Sequence, residues 1–217
     1  MLQEKITLLK KNIIEYGLFV KSMIDLSING LLNVNSVPLE EVIEKLEPKA
    51  NNFEIELDEM CLSMIAQYQP KAKDLRTITM ILKMNNDLER IGDSAVNICE
   101  SGLYLISKPS VKPLIDIPKM AQESLKMLDD SVKSFINEDI ALARDVLLRD
   151  NTVDNFNDQI IRELITYMMS DPSTIERSIH LIRISRNLER IADLSTNICE
   201  DVLFIVEGKI IKHHHDK

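Results

Sequence analysis

Apolar residues recur every three or four positions through most of this chain, the period of helices that bury one face. Ile6, Leu9, Ile13, Val20, Met23 and Leu31 keep the spacing from residue 3 to about residue 32, where NVNSVP supplies turn residues and a Ser36 cap ahead of Pro38. A second helix is expected from Leu39 to Tyr68, through Val42, Leu46, Phe53, Leu57, Cys61 and Met64, stopping at Pro70. Pro48 falls inside it and predicts a kink or a late start. The third pattern is the most regular: Ile81, Met84, Leu88, Ile91, Ala95 and Ile98 form the seam of a bundled helix that ends before Pro109.

The order is then replayed. SKPSVKPLIDIP, with three of the seven prolines in twelve residues, reads as a stiff connection. Helices follow from about Lys119 to Phe135 and from about Asp139 to Met169, with a break at Asp171-Pro172. The last carries Leu181, Ile184, Leu188, Ile191, Ser195, Ile198, Val202 and Ile205. LERIGDSAVNICE at 88–100 returns as LERIADLSTNICE at 188–200, identical at nine of thirteen positions. These patterns predict an all-α protein of two tandem, internally duplicated, antiparallel three-helix bundles. The repeats are residues 1–108 and 119–217, with a proline-rich linker at 109–118.

Composition agrees with this reading. At 217 residues the chain can divide into two small domains, and only five Gly among abundant Leu, Ile, Glu and Lys favours long helices. A net charge of -9 with no Lys/Arg run beside aromatics argues against nucleic acid and for cations or basic protein surfaces. Three Cys at 61, 99 and 199, without CxxC spacing, fit a reducing compartment, with Cys99 and Cys199 as small apolar fillers. No signal peptide or apolar run of membrane-spanning length is visible, so a cytoplasmic location is expected. His213, His214 and His215 at the end are given no role.

The duplicated segment also keeps its acids. Glu89, Asp93 and Asn97 share one helical stripe, as do Glu189, Asp193 and Asn197. At roughly 100° per residue the stripe lies about 140° to 180° from the apolar seam and is expected to face outward. Acids at i,i+4 repel, so a single such pair reads as a solvated face, whereas its recurrence in both repeats points to a function. Carboxylates on consecutive turns offer oxygens to divalent or trivalent cations, given more from a neighbouring helix. The second helix of the second repeat has Asp150 and Asp154, which the repeat alignment matches to Glu47 and Asn51, with Glu54 one turn on. His180 reads as a core or boundary histidine. The chain lacks a Glu-x-x-His pair, a phosphate-binding glycine loop, G-x-S-x-G and a plausible Cys/His couple, so no catalytic residue is assigned.

QPKAKDLR (69–76), NNDLERIGDSAVNICE (85–100), DNTVDNF (150–156) and RNLERIADLSTNICEDVLFIVEG (186–208) together resemble the PhoU family of phosphate-uptake regulators. The resemblance extends in order over nearly the whole chain. It implies two similar three-helix bundles, often dimeric, whose E/D-x-x-x-D motifs hold multinuclear metal clusters of Fe, Zn, Mn or Mg. By motif the ligands would be Glu89, Asp93, Glu189 and Asp193, then Asp150 and Asp154, then Glu47; Asn51 stands where the family usually has an acid. It further implies a non-enzymatic negative regulator of phosphate-starvation signalling. Its expected partners are a phosphate ABC transporter ATPase and a sensor histidine kinase, and it meets the membrane only through them. Composition and periodicity say nothing of phosphate. The residues alone leave two other readings open, a carboxylate-bridged metalloenzyme and a metal-free helical scaffold.

Overall fold

The structure, a computed structural model, describes residues 2–208; the histidine tail lies outside them. The helices are α1 (Leu2–Leu32), α2 (Ser36–Glu41), α3 (Glu47–Tyr68), α4 (Ala72–Ile106), α5 (Asp116–Asn137), α6 (Ile140–Ser170) and α7 (Ile175–Glu207). Asn35, not Ser36, caps α2: its side chain accepts from the Val37 N–H, and Ser36 is already the first helical residue. Between α2 and α3 the chain stays helical through a π turn, Val42–Leu46. Proline has no N–H to give and its ring crowds the carbonyl four residues back, so the turn widens ahead of Pro48 and the helix continues. The sequence therefore locates the irregularity correctly but not its form.

The connection is shorter than expected. α5 starts at Asp116, which puts Pro118 in its first turn, where the N–H it lacks would have no intrahelical partner. Residues 107–115 are fastened to the second bundle. Lys112, 6% exposed, pairs with Glu163 on α6, and Arg177 on α7 donates to the Pro109 carbonyl at 2.8 Å. Asp139 caps α6 through the Leu142 N–H, and Asp171 with Pro172 opens a single 3-10 turn before α7.

Each half is a three-helix bundle, α1 with α3 and α4, and α5 with α6 and α7, and the two share one apolar core. α4 packs on α1 and α3 within its bundle and on α7 across the boundary, and α1 also meets α5. Lys21 on α1 reaches Asp129 on α5 at 2.8 Å, and Lys10 reaches Glu138 at 3.1 Å. This placement qualifies the outward stripe, of which Asn97, Asp193 and Asn197 are exposed. Because α4 and α7 are covered on two sides, only a narrow arc of each remains open, and Glu89, Asp93 and Glu189 are half-buried on its edge. Among the described residues no helix is long and apolar enough to cross a membrane.

Candidate metal centre

In the second repeat α6 and α7 bring acids together. One carboxylate oxygen each from Asp150, Asp154 and Asp193 lies within 4.8 Å of the others, close enough to share a cation. Glu189, one turn before Asp193, is held by a relay from inside the bundle. Ser185 Oγ donates to Asn157 Oδ1 at 2.8 Å, and Asn157 Nδ2 donates to Glu189 Oε2 at 2.7 Å. Fixing the amide in this orientation fixes the carboxylate beyond it. Burial raises the Glu189 pKa, and the charges of Asp193 and Asp154 add to the rise, against the Asn157 hydrogen bond. Asp193 is exposed overall, yet burial of its carboxyl at the α6–α7 groove lifts its pKa first and the charge of Asp154 second.

In the first repeat the corresponding set is Glu89 and Asp93 on α4 with Glu54 on α3. Glu89 is raised by burial, then by the charges of Asp93 and Glu54 and by a hydrogen bond with Asp93. Glu54 is raised by burial, Asp58 and Asp93. Asn85, fully buried, donates to the Glu54 carbonyl at 2.8 Å and to Asp58 Oδ1 at 2.7 Å, so the polar relay here ends on α3. Tyr16 on α1 adds a phenol: it is 0% exposed, its ring stacks on Phe53 with centroids 5.3 Å apart, and its hydroxyl has no hydrogen-bond partner. Burial and the charges of Glu54, Glu89 and Asp93 push its pKa well above the usual tyrosine range.

The register expected between the repeats is therefore off by about one turn. Glu54 acts on the α4 pair as Asp154 acts on the α7 pair, an offset of one hundred residues, the same as between Glu89 and Glu189. At that offset Asp150 is matched by Ala50, a buried methyl facing Gly92, rather than by Glu47. Glu47 opens α3 seven residues earlier, roughly 10 Å along the helix axis from Glu54. Sequence reasoning mentioned Glu54 only in passing and missed Tyr16, Asn85 and Asn157. The Asn signal was available, since Asn85 sits one turn before Glu89 and Asn157 three residues after Asp154, but nothing in a single sequence separates a buried amide from a surface one.

The donors are all oxygen, several per cluster, and crowded enough to resist ionisation; a hard cation would relieve their repulsion. Other candidates have structural explanations. His180 stacks on Tyr104 with centroids 4.0 Å apart at the bundle boundary, and burial, then the charge of Arg183, lowers its pKa. Cys61, Cys99 and Cys199 are buried free thiols, pushed up to about 12 by burial. Asp87 is buried between α4 and α7, paired with Arg90 at 3.4 Å and hydrogen-bonded to Asn197.

The PhoU domain model matches the chain twice, over residues 13–102 and 117–202. A phosphate-specific transport system accessory protein PhoU homolog from Aquifex aeolicus is 40% identical over 208 residues, 96% of this chain and 94% of that protein. The accessory protein PhoU of Escherichia coli is 33% identical over 94% of this chain and 85% of its own length. The crystal structure of PhoU from Pseudomonas aeruginosa superposes with a TM-score of 0.93 at 31% identity, covering 96% of this chain and all of that one. A regulatory PhoU from Streptococcus pneumoniae shares the fold, with a TM-score of 0.90 at 23% identity over 98% of this chain and all of that one. These names describe accessory and regulatory proteins rather than enzymes, in keeping with a sequence to which no catalytic residue could be assigned. With two PhoU domains in tandem and relatives that match end to end, the chain belongs to the PhoU family.

Proposed function

We propose that this chain is a metal-binding cytoplasmic regulator of phosphate uptake. It acts as a homodimeric adaptor between a phosphate ABC transporter ATPase and a sensor histidine kinase, and it restrains phosphate-starvation signalling. The observation that carries this reading is the pair of PhoU domains, each with an acidic set at the same place on its third helix. A bound cation would supply positive charge where the carboxylates repel. Asp150, Asp154, Glu189 and Asp193 would hold it in the second repeat and Glu54, Glu89 and Asp93 in the first, while Asn157 keeps Glu189 turned to the groove. Holding α3 to α4 and α6 to α7 in this way would stiffen the face that partners meet. Glu47 stays in the proposed set as an outer acid of the first repeat.

Calorimetry of the full chain against the cognate transporter ATPase and the kinase's cytoplasmic portion, with and without Mn2+, tests the reading. Binding to both partners without turnover, strengthened by the cation, is expected. No interaction in either condition would overturn it.

A further inference from the structure

The two acidic clusters are not equal, and the difference points at α1. In the second repeat Asp150 supplies a carboxylate and Asn157 donates to Glu189. In the first, Ala50 stands at the place of Asp150, and the relay amide of Asn85 spends its donors on Glu54 and Asp58 of α3. Glu89 is left beside the like charges of Asp93 and Glu54. Into this set α1 brings the one fully buried tyrosine of the core, its hydroxyl without a partner and under the charges of Glu54, Glu89 and Asp93. A buried hydroxyl without a hydrogen bond costs roughly 1–3 kcal/mol, so its retention needs a reason. Hydrophobic filling alone would be served by phenylalanine, which packs the same ring on Phe53.

We propose that Tyr16 is a positioning residue of the first cation site, its single phenolic O–H donating to one carboxylate of the set Glu54, Glu89 and Asp93 when a cation gathers them. The inference rests on the metal-binding reading above and adds what nothing in the acidic motif reveals, a third helix serving the site. The hydroxyl is buried and meets no acceptor, so its hydrogen is available to a ligand, and Tyr16 acts as a donor to the ligands rather than as a ligand itself. The second repeat does the corresponding work with Asn157, from within its own helix pair. Two consequences follow. Affinity at the first site depends on a residue of α1, and occupancy changes the surroundings of one tyrosine in a chain with four Tyr and no Trp.

The probe is Mn2+ alone, which favours carboxylate oxygens over the imidazoles of the terminal histidines. Binding is followed by electron paramagnetic resonance on the full chain, on Tyr16→Phe, on Asp193→Asn and on the double variant. Asp193→Asn isolates the first site, and in that background Tyr16→Phe is expected to weaken Mn2+ binding by about tenfold to a hundredfold. Tyr16→Phe alone should leave the second site at wild-type affinity. Independently of any change at Tyr16, Mn2+ should perturb the near-ultraviolet tyrosine spectrum of Asp193→Asn. Equal first-site affinity with and without the hydroxyl, or a tyrosine spectrum that ignores Mn2+ while it binds, would overturn the role of Tyr16 and leave the metal reading standing. A wild type that binds no Mn2+ would overturn both.

Discussion

Asp201 shows how much a helix partner decides about a single acid. It lies on α7 facing α4, 3% exposed, paired with Lys83 through one oxygen while the other has no hydrogen bond. Burial raises its pKa to about 6, with Asp87 and Glu200 adding like charge and Lys83 opposing them. Folding thus favours its protonated form. The stability this gives is complete below the ordinary carboxyl value of 3.8 and is lost as pH rises through about 6. At roughly 1.4 kcal/mol per pKa unit the loss is on the order of 3 kcal/mol. Urea unfolding of Asp201→Asn should therefore show a flatter pH dependence than the wild type, the two curves separating across that window in favour of the variant. Parallel curves would contradict this account. The sequence held no sign of Asp201, whose burial comes from the other repeat. Glu89, Asp93, Glu189 and Asp193 were legible because duplication marks them. Glu54 was placed a turn away from its role because α3 and α6 share too few residues to fix their register, and a D-x-x-x-D pattern drew the alignment to Glu47.

Helix existence was readable throughout because every helix buries a face and so keeps its period. The ends were readable where a proline or a cap acts locally, as at Pro70, Pro109 and Asp139. What escaped was the π turn before Pro48 and the back-to-back packing of α4 and α7, which turns an apparently free stripe into the rim of a groove. Two glycines separate close packing from open space in the same helices. A methyl added at Gly30 would stand 2.6 Å from Leu39 Cδ2 and 2.7 Å from its Cγ, across the tight α1–α2 connection. At Gly92 it would meet only Ala50 and Val20, each at 3.9 Å, and the matching residue of the second repeat is already Ala192. Gly30→Ala should lower stability, because overpacking of about 1–3 kcal/mol outweighs the helix-propensity gain of about 1 kcal/mol. Gly92→Ala should raise it by up to about 1 kcal/mol, since there the gain meets no clash. Chemical denaturation of the two variants beside the wild type checks both signs.

Duplication also bears on how the halves hold each other. α4 meets α7 through residues whose letters recur: Asp87 hydrogen-bonds Asn197, and Asn97 is the first-repeat counterpart of Asn197. A second copy of α4 could therefore stand in for α7 with the Asp87 contact preserved. Lys83 would lose its partner, because Ser101 takes the place of Asp201. Left alone, residues 1–108 would expose the α4 face that α7 covers and the part of α1 that α5 covers, which includes Gly17 against Val132. Such a surface is too apolar to remain open in water. The isolated first half should accordingly self-associate into a dimer that pairs α4 with α4, weaker than the native union of the halves because two Lys83–Ser101 contacts replace ion pairing. Sedimentation of this fragment over a range of concentrations should show a reversible monomer–dimer equilibrium, and Ser101→Asp should shift it toward the dimer by restoring a partner for Lys83. A fragment that stays monomeric and cooperatively folded at every concentration would mean that each bundle is self-sufficient and that the α4–α7 seam contributes little to the fold.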